Sequence, residues 1–103
     1  MLSFFRNLRT DQTPDRLHLV LYTRRNCHLC EDALRHLKKE QPRHRFELDI
    51  VDVDSDQDLV AKFGEMVPVI IVDGQVRLWG NIKPALVNRL LRGEHQKTKS
   101  KRD

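Results

Sequence analysis

Two cysteines, Cys27 and Cys30, stand at C-x-x-C spacing and are the only cysteines in the 103-residue chain. An apolar, β-favouring run over 17–23 precedes them, and a pattern with helical period follows. A thiol in the first turn of a helix is stabilised as a thiolate by aligned backbone N–H groups and by the positive end of the helix dipole. The thiolate is the nucleophile and the leaving group of disulfide exchange, so the pair predicts thiol–disulfide chemistry, with Cys27 attacking and Cys30 resolving.

Three basic residues surround the first cysteine: Arg24, Arg25 and His28. Nearby positive charge favours the thiolate form of Cys27, and a protonated His28 would make the protein more oxidising by stabilising its reduced form. The alternative for Arg24 is a solvated arginine in a turn, and for His28 a plain solvated side chain, each with little effect on the thiol.

Two other functions use the same residues or the same fold. A metal or an iron–sulfur cluster could bind Cys27 and Cys30, but a closed site needs about four ligands. The chain has no second C-x-x-C, so a cluster would need a second chain or external thiols, and we predict no bound metal. The third hypothesis is a non-catalytic binding module, since a fold does not by itself determine a function.

Composition predicts one soluble globular domain, with 39% hydrophobic and 33% charged residues. No apolar run approaches the roughly 20 residues needed to span a bilayer, so we expect no membrane association. Most of the net charge of +4 lies in 92–103, where five basic residues face two acidic ones. We predict a basic, disordered tail over 93–103 and, because the folded part has no basic stripe interleaved with aromatics, no nucleic-acid partner.

Residues 1–16 lack the apolar core and the cleavage site of a secretory signal. We predict that they form an arm packed on a domain over 17–92; an organelle transit peptide is the alternative. In a reducing compartment a C-x-x-C pair is more often catalytic or metal-binding than structural, and we predict a cytoplasmic monomer.

The rest of the chain alternates strand and helix patterns. The pattern predicts a helix over 27–40, with Cys30, Ala33, Leu34 and Leu37 as its buried stripe. A strand over 44–52 follows, and Phe46, Leu48 and Ile50 are expected to face inward. The alternation of apolar and polar residues is typical of a strand with one solvent-exposed face, near the edge of a sheet.

A second helix is predicted to begin near Ser55 and to end at Gly64. A third strand is predicted over 66–72, with Pro68 near its start because proline cannot donate to the ladder, and an Asp73-Gly74 hairpin should return the chain as a fourth strand over 75–79. We expect Trp79 to pack under the last helix; a platform near a peptide groove is the alternative. That helix should begin at Pro84 and end at Gly93.

In this order of elements the chain resembles the glutaredoxin-like branch of the thioredoxin superfamily, over about residues 17–92. The likeness rests on the C-x-x-C after a strand, Val67-Pro68 opening a strand, the Asp-Gly hairpin and the last helix. It implies an α/β three-layer thioredoxin-like fold with a four-stranded mixed sheet, order 2-1-3-4, flanked by helices. It also implies a redox disulfide between Cys27 and Cys30, and a cis Pro68 beside it, with the backbone of Val67 pairing with a peptide or glutathione.

The family usually carries a basic residue three positions before the first cysteine, and Arg24 fills that position. The resemblance gives it, with Gly80, a role in holding glutathione. The chain departs from the family in having His28-Leu29 between the cysteines and only Gly80 of a glycine pair after the last strand. The implied partners are a disulfide-containing protein or glutathione, and a reductant such as glutathione or a thioredoxin-reductase-like enzyme. No tightly bound cofactor is expected, with glutathione as a candidate co-substrate.

Overall fold

The computed structural model of the protein describes the backbone of residues 17–102 and the side chains of residues 17–94. The elements are β1 (Leu17–Thr23), α1 (His28–Glu40), β2 (Phe46–Asp52), α2 (Gln57–Phe63), β3 (Val69–Val72), β4 (Gln75–Trp79) and α3 (Pro84–Arg102). A short 3-10 turn, Val53–Ser55, joins β2 to α2. The arm predicted over 1–16 lies outside the described residues.

The four strands form one mixed sheet in the order β2-β1-β3-β4, as the resemblance implied. Strand β1 pairs in parallel with β2 and antiparallel with β3, and β3 pairs antiparallel with β4. The Asp73-Gly74 hairpin is present: both residues have positive φ, of 52° and 80°, as a two-residue type I′ turn requires. The central position of β1 agrees with its nearly continuous apolar character.

Helices cover both faces of the sheet. On one face, alternate residues of β1 such as Leu19 and Leu21 are fully buried in a cluster that includes Leu37 of α1 and Leu91 of α3. On the other face, Phe63 of α2 packs in a second apolar cluster with residues of β3. The result is a three-layer α/β fold.

Tyr22 and Phe63 hold α2 against the end of β1. Their rings stack with centroids 4.9 Å apart and planes at 20°. Tyr22 is therefore packed on the α2 side of the sheet while its neighbour Leu21 is buried on the opposite side. Strand β1 ends at Thr23, directly after Tyr22, and the loop that carries Cys27 begins there.

Two apolar side chains expected inside are exposed. Ile50 is 49% exposed and Trp79 is 59% exposed, so both predictions are wrong. Ile50 lies on β2, an edge strand along which burial decreases from Phe46 through Leu48. Trp79 lies on β4, the opposite edge strand, and pairs with Val69 of β3. Cross-strand partners share a face, so Trp79 is on the α2 side, where the apolar cluster contains no residue of β4.

Helix α3 begins at Pro84 as predicted but does not end at Gly93, and its backbone continues to Arg102. Glu94, one residue further on, is only 4% exposed and forms an ion pair with Arg77 of β4. This tertiary contact outweighs the local preference of glycine for a helix end. The helix thus enters the segment predicted to be a disordered tail, and the division of the chain into arm, domain and tail stays a prediction.

No helix within residues 17–102 combines the length and the apolar character needed to cross a bilayer.

Candidate active site

The two cysteines lie where α1 begins. Cys27 is the N-cap of α1, and its Sγ accepts a hydrogen bond of 3.1 Å from the backbone N–H of Cys30. The two residues form a disulfide, with their Cα atoms 5.2 Å apart. Cys30 is only 3% exposed, whereas Cys27 is half-buried, so Cys27 is the more accessible of the two cysteines. In the reduced protein the N–H···S hydrogen bond would favour a thiolate at Cys27.

Asn26 turns the chain from the loop into α1. Its φ of 58° lies in the left-handed region, which asparagine tolerates better than most side chains because its short amide bonds locally. After this turn, Cys27 has an extended backbone conformation at the N-terminus of α1. The sequence pattern placed the cysteines at the helix but gave no role to Asn26.

Arg24 is held by two other segments of the chain. Its Nε donates to both carboxylate oxygens of Asp54, at 3.1 and 3.3 Å, and its Nη2 donates to Oδ1 at 3.1 Å. Its Nη1 donates to the carbonyl oxygen of Gly64 at 3.0 Å. The hydrogen bond with Asp54, followed by the charge of that carboxylate, raises the pKa of Arg24. The positive charge predicted to act on Cys27 or on glutathione is therefore largely offset by Asp54.

The Val67–Pro68 peptide bond is cis, as the resemblance implied. Tyr22 pairs with Val69 across the sheet, and the same antiparallel register places the buried Pro68 opposite Thr23, at the start of the loop to the cysteines. The N–H of Val67 donates to the carbonyl of Phe63 at 3.1 Å. This backbone donor, predicted to pair with a bound peptide or glutathione, already has a partner within the chain.

Gly80 lies beside the cis-proline. Its φ of 82° is in the left-handed region that glycine adopts readily, and its N–H donates to the carbonyls of Met66 at 3.2 Å and Pro68 at 3.0 Å. Arg24, Val67 and Gly80 thus all direct donors inward, and glutathione would have to displace those bonds to use them. Their predicted role in binding glutathione stays a prediction.

Arg25 and His28 are exposed on either side of Cys27. Their predicted effect on the thiolate stays a prediction. Leu29, between the cysteines, is 41% exposed, so the helix presents one apolar and one ionisable side chain beside the disulfide.

Among the side chains of residues 17–94, no three of the His, Cys, Asp or Glu type come together as a metal site requires. Metal binding through Cys27 and Cys30 would need ligands from another molecule or from outside these residues.

Sequence reasoning missed Asp54 and Gly64, the partners of Arg24. Asp54 lies just after β2, and the carboxyl ends of parallel neighbours such as β1 and β2 meet at one edge of a sheet. That rule was the available signal for Asp54, whereas a backbone carbonyl such as that of Gly64 carries no sequence signal.

A family model described as "Glutaredoxin-like domain (DUF836)" matches residues 18–93. The chain belongs to this family. The match covers most of the chain. Together with the Cys27–Cys30 disulfide at the start of α1, it supports a thiol–disulfide redox function in general terms. No curated protein matches the chain.

Solved structures give the same fold. Protein Ne2328 from Nitrosomonas europaea is 26% identical, with a TM-score of 0.64 over 74% of this chain and 92% of its own. Protein XcR50 from X. campestris is 28% identical, with a TM-score of 0.63 over 73% of this chain and 96% of its own. Mitochondrial thioredoxin 3 from Saccharomyces cerevisiae, in its oxidised form, is 21% identical, with a TM-score of 0.59 over 89% of each chain, and shares the fold alone.

Proposed function

We propose that this glutaredoxin-like protein is a thiol–disulfide oxidoreductase. The observation that carries the proposal is the half-buried Cys27, capped onto α1 and bonded to a buried Cys30 in the same first turn. A nucleophile must be reachable, and its resolving partner must be close and shielded from competing substrates. The described residues meet both conditions with these two cysteines.

The reaction proceeds in two exchange steps. The Cys27 thiolate attacks one sulfur of a substrate disulfide, a bond forms between these two sulfurs, and the other substrate sulfur leaves as a thiolate. The Cys30 thiolate then attacks the sulfur of Cys27, which forms the Cys27–Cys30 disulfide and releases the second substrate thiolate. Two electrons pass to the substrate. A thiol reductant, glutathione or a thioredoxin-reductase-like enzyme, returns them by the reverse exchange.

We further propose that the substrate is a disulfide-containing protein. We also propose that the oxidoreductase itself is a cytoplasmic monomer. The inward-directed donors of Arg24 and Gly80, which the resemblance assigned to glutathione, favour a protein over glutathione, because a small ligand depends more heavily on a few such donors.

The proposal is tested by equilibrating the protein across a series of reduced and oxidised glutathione, trapping the thiols with acid and measuring the intact mass. We expect a reversible loss of two hydrogens with a single midpoint, which places the potential of the pair. An added glutathione would instead support the glutathione route. If both thiols stay reduced in oxidising buffer, or the protein carries stoichiometric metal, the proposal is wrong.

The exposed ring of Trp79 yields a prediction about the substrate. Trp79 directly precedes Gly80, which is hydrogen-bonded to the cis-proline, and pairs with Val69, which follows that proline. An exposed indole next to the site would contact an extended protein segment. We expect Trp79→Ala to lower kcat/KM for the reduction of insulin about tenfold, since a buried aromatic contact contributes on the order of 1–2 kcal/mol.

Val76→Ala is the matched control. Val76 is 42% exposed, lies on the same face of β4, and is three residues further from Gly80. It should leave insulin reduction within about twofold of the unsubstituted protein. Neither substitution should change the reduction of hydroxyethyl disulfide, which is too small to reach the indole. Equal effects of both substitutions on insulin would exclude a specific contact at Trp79.

A further inference from the structure

Arg24 joins three segments that are distant in the sequence. It lies in the loop between β1 and α1, three residues before Cys27. Through its bonds to Asp54 it holds the 3-10 turn after β2, and through its bond to the carbonyl of Gly64 it holds the end of α2. The segment that leaves Gly64 reaches the cis Val67–Pro68 bond within three residues.

A side chain at Gly64 would clash with the backbone of α2 and would also crowd Arg24. A Cβ atom at Gly64 would lie 2.5 Å from the carbonyl oxygen of Val60 and 3.2 Å from Nη1 of Arg24. Because the φ of Gly64 is an ordinary −54°, close packing and not backbone conformation requires glycine here. The guanidinium is thus seated directly against the end of α2.

Local hydrogen bonds extend this connection on both sides. Asp54 is oriented by its own N–H, which donates to Asp52 Oδ1 at 2.9 Å. On the α2 side, the N–H groups of Met66 and Val67 donate to the carbonyl of Phe63, and Gly80 donates to the carbonyls of Met66 and Pro68. The chain of contacts therefore runs from the thiol loop through Arg24 to the backbone around the cis-proline.

We propose that Arg24 is a positioning residue that, with Asp54 and Gly64, holds the cis-proline segment in register with the thiol loop. This role differs from that of a cation that acts on the Cys27 sulfur or on a glutathione carboxylate. It rests on the proposed function and on the predicted pairing of an extended substrate segment with the backbone beside the cis-proline. The guanidinium fork bonds a carboxylate and a carbonyl at once, which a lysine ammonium does less well.

The two roles predict opposite results for the removal of the Asp54 charge. If Arg24 acted directly on the thiolate, Asp54→Asn would release its charge and increase the reactivity of Cys27, whereas Arg24→Gln would decrease it. If Arg24 positions the segment, both substitutions break the same connection. Both should then reduce activity, and the double variant should be no worse than the more impaired single variant.

The experiment compares Arg24→Gln, Asp54→Asn and the double variant in insulin reduction. We expect kcat/KM to fall about tenfold in each, through a higher KM, because a small displacement of the docking segment misplaces the substrate. The pH midpoint for alkylation of Cys27 should be unchanged. Arg24→Lys should recover part of the activity, and Arg35→Gln is the matched control, since Arg35 pairs with Asp32 on an exposed face of α1.

A second readout does not depend on activity. Hydrogen exchange at the amides of Val67 and Gly80, which are bonded around the cis-proline, should become faster in both Arg24→Gln and Asp54→Asn. Unchanged exchange in both variants, additive losses of activity, or opposite effects of the two substitutions would overturn the positioning role. If the unsubstituted protein reduces no disulfide, the proposed function fails, and the exchange measurement still decides whether Arg24 holds the segment.

Discussion

Cys27→Ser should abolish disulfide reduction, and it is the largest effect that we expect. A serine hydroxyl is not ionised near neutral pH and does not form the mixed disulfide, so kcat/KM for insulin should fall by roughly a thousandfold or more. The fold should persist, because serine is a common N-cap residue and can accept the hydrogen bond that the Cys27 sulfur accepts from Cys30. Circular dichroism checks the fold, and insulin reduction checks the activity.

Cys30→Ser is the matched variant and should fail differently. Its Cys27 can still attack, but no buried thiol resolves the adduct, so the substrate should remain bound through a mixed disulfide. Intact mass should show this adduct, and one thiol should be released per protein molecule. If Cys27→Ser retains activity, or if the adduct forms at Cys30 instead, then the assignment of the two cysteines is wrong.

The second large effect concerns stability. Glu94→Ala should lower the free energy of unfolding by about 2–4 kcal/mol, because Glu94 is 4% exposed and paired with Arg77, and removal of one partner leaves a partly buried charge uncompensated. The expected value is below that of a fully buried pair because the Arg77 side chain is 31% exposed. Urea denaturation measures the change, which should appear in the midpoint and leave the slope unaltered.

Two further variants separate the ion pair from ordinary surface effects. Glu65→Ala removes an exposed carboxylate and should cost less than about 0.5 kcal/mol. Arg77→Met combined with Glu94→Leu should recover much of the stability lost in Glu94→Ala, because both charges are replaced together by apolar groups. A loss in Glu94→Ala as small as that in Glu65→Ala would mean that this contact does not stabilise the end of α3.

Local patterns predicted the elements that depend on neighbouring residues. The positions of Cys27 and Cys30, the stripe of α1 and the Asp73-Gly74 hairpin each follow from residues close together in the sequence. The sheet order and the cis Pro68 came from the family resemblance, because neither is determined by a local pattern.

The wrong predictions all depend on how elements distant in the sequence pack against one another. Ile50 and Trp79 are exposed because they lie on edge strands, and a pattern of apolar residues does not show how far the helices extend over each strand. Gly93 fails to end α3 because Arg77 holds Glu94 from another element. Arg24 was assigned to a ligand because its partner Asp54 lies thirty residues away and is brought to it only by the pairing of β1 with β2, not by a local pattern.

The hydrogen bond from Cys30 to the Cys27 sulfur connects the redox state to the stability of the whole protein. A thiolate accepts this bond more strongly than a disulfide sulfur does, so this hydrogen bond contributes in favour of the dithiol form in the folded protein. In a thermodynamic cycle, the difference in unfolding free energy between the reduced and oxidised proteins is the free-energy equivalent of the shift in reduction potential that folding causes. About 1.4 kcal/mol corresponds to about 30 mV for two electrons. Denaturation curves in the two states would therefore report how far the fold itself makes this pair an oxidant.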